Sequence, residues 1–224
     1  MTSDPTVYGL DIETDTATDG LDPRVGRVLA AAVAGPGGEV VLAHHDEAAL
    51  LRELDRWLAE LTPGVLVTWN GAAFDLPYLA TRAEINEVDL GLRLVPDPSL
   101  RLRGRPLPGH QGAYRARWHG HRHLDAFRVF HADVGRTFGL PCGLKALASL
   151  AGLAPVDADA ARVHELDPAA MHAYVASDAR CARALALGRW PTAAASIDRL
   201  GTPAAGQPAP AIDAHSALAG SLLR

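Results

Sequence analysis

The chain has 224 residues, of which 48% are hydrophobic, and its formal net charge at pH 7 is −5. This length and hydrophobic fraction suit a single packed core, and the negative charge argues against a protein that binds nucleic acid over its whole surface. No apolar run approaches the roughly 20 residues that span a bilayer, and no signal sequence is visible, so we expect a cytoplasmic protein without a membrane partner. Cys142 and Cys181, the two cysteines, lack metal-ligand spacing and are expected to be reduced thiols in the core.

The first predicted strand ends in two acidic residues. An apolar run at residues 7–10 continues into Asp11-Ile12-Glu13. Residues two apart on a strand point to the same face, so the carboxylates of Asp11 and Glu13 can address one metal cluster. Two acids at this spacing also occur by chance in almost any chain, so the pair alone indicates a catalytic site only weakly.

The next predicted elements are a hairpin and an amphipathic helix. Residues 28–33 and 39–43 flank Gly35-Pro36-Gly37-Gly38, a composition typical of a hairpin turn. Residues 46–61 then carry leucines at helical spacing. The order strand, hairpin, helix, strand, helix predicts an α/β fold with a mixed sheet.

A second acidic site follows the next predicted strand. The segment 65–79 begins with a short β-rich run, continues into a turn that contains Gly71, and ends in a helical pattern with Asp75 at its start. A carboxylate at a helix start is favoured by the helix dipole and by free backbone N–H groups, so an ordinary capping role is the alternative to catalysis. Capping does not explain Asn70 and Phe74 in the same turn.

Residues 91–124 form a basic segment, with seven arginines and one acidic residue, Asp97. Arginines interleaved with aromatic side chains and histidines are typical of a surface that tracks phosphates and stacks bases, and a solvated hairpin is the alternative. The candidate phosphate contacts are Arg101, Arg103 and Arg105. The histidines at positions 119–123 could instead bind zinc, but they have neither a cysteine partner nor a clean helical spacing.

Two further polar residues stand out before the last motif. Asp125 lies in the segment 123–128 and could support the site from behind or cap a helix. Lys145 is the only lysine in the chain, within the otherwise apolar segment 143–153. That isolation suggests a specific contact, such as one to a phosphate.

The third acidic site lies on a predicted helix. Asp167 as N-cap and Pro168 at the first helical position open it. Tyr174 and Asp178 are then four apart on a face that also carries an apolar stripe, so both should point towards the body of the protein. A buried, unpaired aspartate is costly, so a cation or hydrogen-bond donors should meet Asp178.

The helical pattern fails after Trp190, and residues 201–210 have the composition of a linker. We therefore predict a folded domain over residues 1–200 and a flexible, Pro/Ala/Gly-rich tail over residues 201–224.

Taken in order, D-x-E, N-x-x-x-F-D and Y-x-x-x-D resemble the three exonuclease motifs of the DEDD superfamily, and most closely those of the 3′–5′ exonuclease domains of family-B DNA polymerases. A tyrosine four residues before the last acid is the mark of the DEDDy branch. The resemblance extends from about residue 7 to about residue 190. It implies an RNase H-like fold, with a central mixed β-sheet flanked by helices and the acids at one end of the sheet.

The resemblance also implies two divalent cations, which hard oxygen ligands would restrict to Mg²⁺ or Mn²⁺. By analogy, Asp11 would bridge the ions, Glu13 and Asp178 would hold the ion beside the attacking water, and Asp75 would hold the other. Tyr174 would orient the attacking water or the scissile phosphate. Asn70 and Phe74 would contact the nucleic acid, although Phe74 could equally be a core residue at a helix start.

We therefore expect a metal-dependent 3′–5′ exonuclease that releases nucleoside monophosphates from the end of single-stranded DNA, as in proofreading or repair. A 3′–5′ exoribonuclease is the main alternative, because no residue clearly reads a 2′-hydroxyl. The remaining alternative is a non-catalytic nucleic-acid-binding module with the same fold.

Overall fold

The computed structural model describes residues 5–100 and 104–198. The predicted tail over 201–224 and two candidate phosphate contacts, Arg101 and Arg103, therefore lie outside the described residues. Cys142 and Cys181 are free and buried. Among the helices in the described ranges, none is both long enough and apolar enough to cross a membrane.

The described residues form one sheet of seven strands. These are β1 (Val7–Thr14), β2 (Val28–Gly35), β3 (Gly38–Leu42), β4 (Val65–Thr68), β5 (Leu92–Pro96), β6 (Tyr114–Trp118) and β7 (His121–Asp125). Their order across the sheet is β3-β2-β1-β4-β7-β6-β5. Strand β1 pairs in parallel with β4, and β4 pairs in parallel with β7, whereas the other neighbours are antiparallel. The predicted α/β fold with a mixed sheet is thus confirmed.

Helices cover both faces of the sheet. They are α1 (Glu47–Glu60), α2 (Asp75–Ile85), α3 (Ala126–Phe130), α4 (Arg136–Phe138), α5 (Leu144–Leu150), α6 (Pro168–Gly188) and α7 (Trp190–Ala195). A π-helical turn at His131–Gly135 separates α3 from α4, and a short 3-10 helix spans Ala160–Glu165.

Side chains along β1 alternate between the two faces of the sheet, and this alternation determines which helices each side chain packs against. Leu10 and Ile12 pack with the leucines of α1 and α2 on one face, whereas Gly9 lies against α6 on the other face. Asp11 and Glu13 share the face of Gly9, because side chains along a strand alternate. The two acids at the end of β1 therefore point towards α6.

Candidate active site

Three carboxylates converge between β1 and α6. One oxygen each from Asp11, Glu13 and Asp178 lies within 4.8 Å of the others. Asp178 is buried, and the two strand residues are half-buried. We call these three residues the acidic triad.

Helix α6 is placed by its start and by its close approach to β1. The side chain of Asp167 caps the helix by accepting a hydrogen bond of 2.8 Å from the N–H of Ala170. Farther along, Gly9 leaves room for the main chain of Ala179, and the Nε of Arg183 donates to the carbonyl of Val7 at 2.8 Å. The segment between these two anchors carries the acid that completes the triad.

Asp75, the fourth predicted acid, enters from the first residue of α2 and is also buried. It is not one of the three acids within 4.8 Å. Its charge nevertheless raises the pKa of both Asp11 and Glu13, so it faces the triad. The N-cap position of α2 belongs to Phe74 and has no side-chain cap, which distinguishes Asp75 from an ordinary capping residue.

The four acids disfavour one another's ionisation. Burial, followed by repulsion from Glu13, Asp75 and Asp178, raises the pKa of Asp11 well above its usual range. Burial and the charge of Asp178 raise the pKa of Glu13 to about 8. Burial is also the largest cause for the other two acids, raising the pKa of Asp75 to about 7 and that of Asp178 to about 6.

This donor set fits a divalent cation. Oδ1 of Asp178 is buried without a hydrogen-bond partner among the described residues, and an unpaired buried carboxylate oxygen is costly. Converging carboxylate oxygens that repel one another are the hard ligands that Mg²⁺ and Mn²⁺ accept. A bound cation would give Oδ1 of Asp178 a partner and would lower the raised pKa values of the four acids.

Lys145 and Tyr174 lie beside the acidic triad. The ammonium of Lys145 lies 3.5 Å from Oδ2 of Asp178, lies 3.5 Å from the centre of the Tyr174 ring and donates to the carbonyl of Val156 at 2.8 Å. Burial and the charge of Glu13 raise the pKa of the Tyr174 phenol. The phenol is therefore a hydrogen-bond donor at neutral pH rather than a base.

Asp125 supports the turn that precedes Asp75. It occupies the N-cap position of α3 without making a side-chain cap. Its two oxygens instead accept hydrogen bonds from the N–H of Asn70 at 2.9 Å and of Ala72 at 3.3 Å. Of the two roles inferred from the sequence, the geometry favours support from behind the site.

The turn itself is tightly constrained. Asn70 adopts a left-handed conformation, with φ of 69°. The half-buried ring of Phe74 packs with the core and lies 5.4 Å from the ring of Tyr78. These contacts agree with the interpretation of Phe74 as a core residue, and they leave a contact with a terminal base as a hypothesis.

The basic segment borders the same turn. The N–H of Tyr114 donates to the carbonyl of Ala72 at 2.8 Å, and Ala72 packs with Leu100 and Ala113 in a small cluster. Asp97 pairs with Arg115, and hydrogen bonds from Ser99 and Arg115 lower the pKa of Asp97 to about 2. Arg105 is exposed.

The histidines of the segment 119–123 have separate partners rather than a common centre. His119 bonds to Asp55 at 2.9 Å, and His121 bonds to the carbonyl of Leu58 at 2.8 Å. His123 bonds to Thr68 and Asp198. Sequence reasoning missed Asp198, which is buried and has no recognisable motif around it.

Comparison with known proteins finds one matching family model, two similar curated proteins and a solved structure with a similar fold. Residues 27–136 match the family described as DNA polymerase family B, exonuclease domain. That stretch includes Asn70, Phe74, Asp75 and Asp125, whereas the acidic triad lies outside it.

The similar curated proteins are polymerases. A DNA polymerase from Thermococcus litoralis is 33% identical over 103 residues, which are 43% of this chain and 5% of that protein. The catalytic polypeptide of DNA polymerase epsilon from Saccharomyces cerevisiae is 29% identical over 142 residues, which are 62% of this chain and 5% of that protein. The chain thus corresponds to only a small part of either relative.

A solved structure shares the fold. The family B DNA polymerase from the hyperthermophilic archaeon Pyrobaculum calidifontis superposes with a TM-score of 0.64 at 24% identity, covering 84% of this chain and 25% of that one. The shared fold therefore extends over most of this chain and corresponds to a quarter of the polymerase.

Proposed function

We propose that this chain is a metal-dependent 3′–5′ exonuclease, because residues 27–136 match the exonuclease domain of family B DNA polymerases and a family B DNA polymerase shares the fold. It would remove nucleoside monophosphates from the 3′ end of single-stranded DNA, in a proofreading or repair role. The observation that carries this proposal is the convergence of Asp11, Glu13 and Asp178 within 4.8 Å. These acids come from two distant parts of the chain, and Asp75 faces them.

We infer that the four acids bind two divalent cations, Mg²⁺ or Mn²⁺. By its resemblance to the first acid of the DEDDy exonuclease motifs, Asp11 would bind both ions. Glu13 and Asp178 would bind on one side of it and Asp75 on the other. Ions bound there would supply activation of an attacking water and stabilisation of the leaving oxygen.

Tyr174 is proposed to orient the reacting groups. Its raised pKa keeps the hydroxyl protonated, so it can donate a hydrogen bond to the scissile phosphate or to the attacking water. General base catalysis by this phenol is disfavoured, because an efficient base has a pKa near the working pH.

Lys145 is proposed to keep Asp178 ionised. Its charge lowers the pKa of Asp178 against the effect of burial, and its ammonium fixes the Tyr174 ring from above. An ammonium has three N–H donors. The Val156 carbonyl and Asp178 account for two of them, which leaves one for a phosphate oxygen of the substrate.

The substrate strand is proposed to approach over the turn that carries Asp75. Asn70 and Phe74 belong to this turn, and the basic segment packs against it through Tyr114 and Ala72. We propose that Arg105, together with Arg101 and Arg103, contacts the phosphates of the strand. Long-range attraction of this kind compensates locally for the negative net charge of the protein.

Matched oligonucleotides test the proposal and separate it from its rivals. A DNA strand and an RNA strand of the same sequence, each labelled at the 5′ end, are incubated with Mg²⁺, Mn²⁺ or EDTA. Stepwise shortening of the DNA in the presence of either metal supports the proposal, and preferential shortening of the RNA indicates an exoribonuclease. Binding without cleavage in either metal indicates a non-catalytic module.

A further inference from the structure

Asp198 is a buried carboxylate that the proposed chemistry does not use. It follows α7 in the chain and is 5% exposed. It lies where strands β6 and β7 separate, since their pairing is limited to Arg117 with Arg122 and Trp118 with His121. Asp198 fills the gap beyond these pairs.

Asp198 makes hydrogen bonds to both strands where the hydrogen bonds between them are missing. Its Oδ2 accepts a hydrogen bond of 3.0 Å from the N–H of Ala116 on β6. Its own N–H donates to the carbonyl of His123 on β7 at 2.8 Å. Both strands are thus connected through one residue that is distant in sequence.

The same carboxylate fixes the ring of His123. Oδ2 of Asp198 lies 2.9 Å from Nδ1 of His123, and Nε2 of that ring lies 2.9 Å from Oγ1 of Thr68. A carboxylate only accepts, so Nδ1 carries the proton, and in the neutral ring Nε2 accepts from the Thr68 hydroxyl.

Thr68 in turn supports the turn that leads to Asp75. A Cβ built on Gly71 would stand 2.2 Å from Oγ1 of Thr68, so the Thr68 side chain lies directly under the main chain of the turn. Asp125 holds the N–H groups of Asn70 and Ala72 from the same strand as His123. Two side chains of β7 therefore support this turn, and one of them depends on Asp198.

We propose that Asp198 is a positioning residue for metal binding. Through His123 and Thr68 it holds Asp75 opposite the acidic triad. It thereby determines the affinity for the ion that Asp75 would bind. This inference rests on the proposed two-ion function. Because Asp75 is the acid outside the triad, disturbing its turn should lower the affinity for one ion and leave the affinity for the other unchanged.

The test compares Asp198→Ala with Asp198→Asn. The alanine variant removes the acceptor, whereas the amide oxygen of asparagine can accept the same two hydrogen bonds. Mn²⁺ binding is titrated on the full chain without nucleic acid, by calorimetry and by electron paramagnetic resonance. We expect Asp198→Ala to lower the affinity for one of the two ions by about 10- to 100-fold, as is typical when a residue supporting a metal ligand is lost. The affinities of Asp198→Asn should stay within a few-fold of the wild type.

A second measurement reports on the support itself. Amide hydrogen exchange at Asn70 and Ala72 should accelerate in Asp198→Ala, and the ¹⁵N shifts of His123 should no longer report a fixed proton on Nδ1. These signals do not depend on activity. A wild-type protein that binds no metal would therefore overturn the proposed function, while the exchange data would still decide whether Asp198 holds the turn.

If Asp198→Ala does not fold, Thr68→Val replaces it, because valine keeps the shape of threonine and removes the hydrogen bond to His123. The same selective loss of one ion is expected. The proposal would be overturned if the variant that folds, Asp198→Ala or Thr68→Val, bound both ions with wild-type affinity. It would also be overturned if the affinities for both ions fell equally.

Discussion

Gly9 lies against the main-chain carbonyl of Ala179 so closely that a Cβ on Gly9 would stand 2.0 Å from that oxygen. The contact involves backbone on both sides, so no side-chain rotation can relieve it. It sets the distance between β1 and α6, and with it the distance between Asp11 and Asp178.

We therefore predict that Gly9→Ala destabilises the protein and weakens metal binding together. Overpacking of this kind costs about 1–3 kcal/mol, and a displaced α6 would carry Asp178 away from Asp11 and Glu13. Chemical unfolding and Mn²⁺ titration measure the two effects. Gly37→Ala is the matched control, since a Cβ there would meet nothing within 4 Å. Unchanged metal affinity in Gly9→Ala would show that this contact does not set the site.

Tyr174→Phe should reduce turnover without abolishing it. The phenylalanine ring keeps the packing and the contact with the ammonium of Lys145, so the change removes only the hydroxyl. Loss of one orienting donor costs about 10- to 1,000-fold in rate, whereas Asp11→Asn removes a metal ligand and should leave no measurable activity. Single-turnover rates on a short DNA strand provide the comparison. Equal loss in both variants would make the hydroxyl an essential participant rather than an orienting group.

The metal-free protein should become less stable as the pH rises from about 5 to about 8. The folded-state pKa values of Asp178, Asp75 and Glu13 are raised to about 6, 7 and 8, whereas unfolded carboxyl groups titrate near about 4. Between these limits the folded state binds more protons than the unfolded state, so stability falls with increasing pH.

Urea unfolding in EDTA across that pH range measures this slope. Added Mn²⁺ should remove it, because the cation replaces the protons as the neutralising charge. Asp11→Asn should also flatten it, since one of the repelling charges is gone. A metal-free protein that is equally stable at pH 5 and pH 8 would contradict the raised pKa values.

Much of the acidic triad could be predicted from short-range periodicity. Strand alternation pairs Asp11 with Glu13, and helical spacing pairs Tyr174 with Asp178. Gly9 was also accessible to this reasoning, because an isolated glycine within a strand often marks a close approach of two backbones.

Asp198 could not be found in this way. Its partner His123 is 75 positions away in the chain. The contact exists because β6 and β7 separate, and no local sequence pattern predicts that separation. The partner of Lys145 was similarly hidden, because the carbonyl of Val156 is a backbone group that any residue would offer.

The basic segment should govern the salt dependence of binding. Replacing Arg101, Arg103 and Arg105 together by alanine removes three proposed phosphate contacts, and each contact contributes about 0.7 to the slope of log K against log salt on single strands. Fluorescence anisotropy with labelled DNA at several salt concentrations measures that slope. Arg52→Ala, an exposed arginine on α1, is the control. An unchanged slope in the triple variant would place the segment away from the DNA.

Dependence on a free 3′ end is the sharpest test of an exonuclease, since carboxylate-bound metal pairs also serve endonucleases. Asp75 is presented by a rigid turn, and Leu100 and Ala113 of the basic segment pack against that turn. We expect this packed side of the site to favour entry of a strand end over a continuous strand.

We predict that linear single-stranded DNA is shortened stepwise to mononucleotides and that a circular single strand of the same sequence stays intact. A 3′-phosphate or a phosphorothioate at the last linkage should slow the first step, because both alter the phosphate or terminus that the site must accept. Gel analysis of 5′-labelled strands resolves the ladder, and the Asp11→Asn protein controls for contaminating nucleases. Linearised circles, or products that begin at the 5′ end, would contradict cleavage from the 3′ end while remaining compatible with a metal site formed by the four acids.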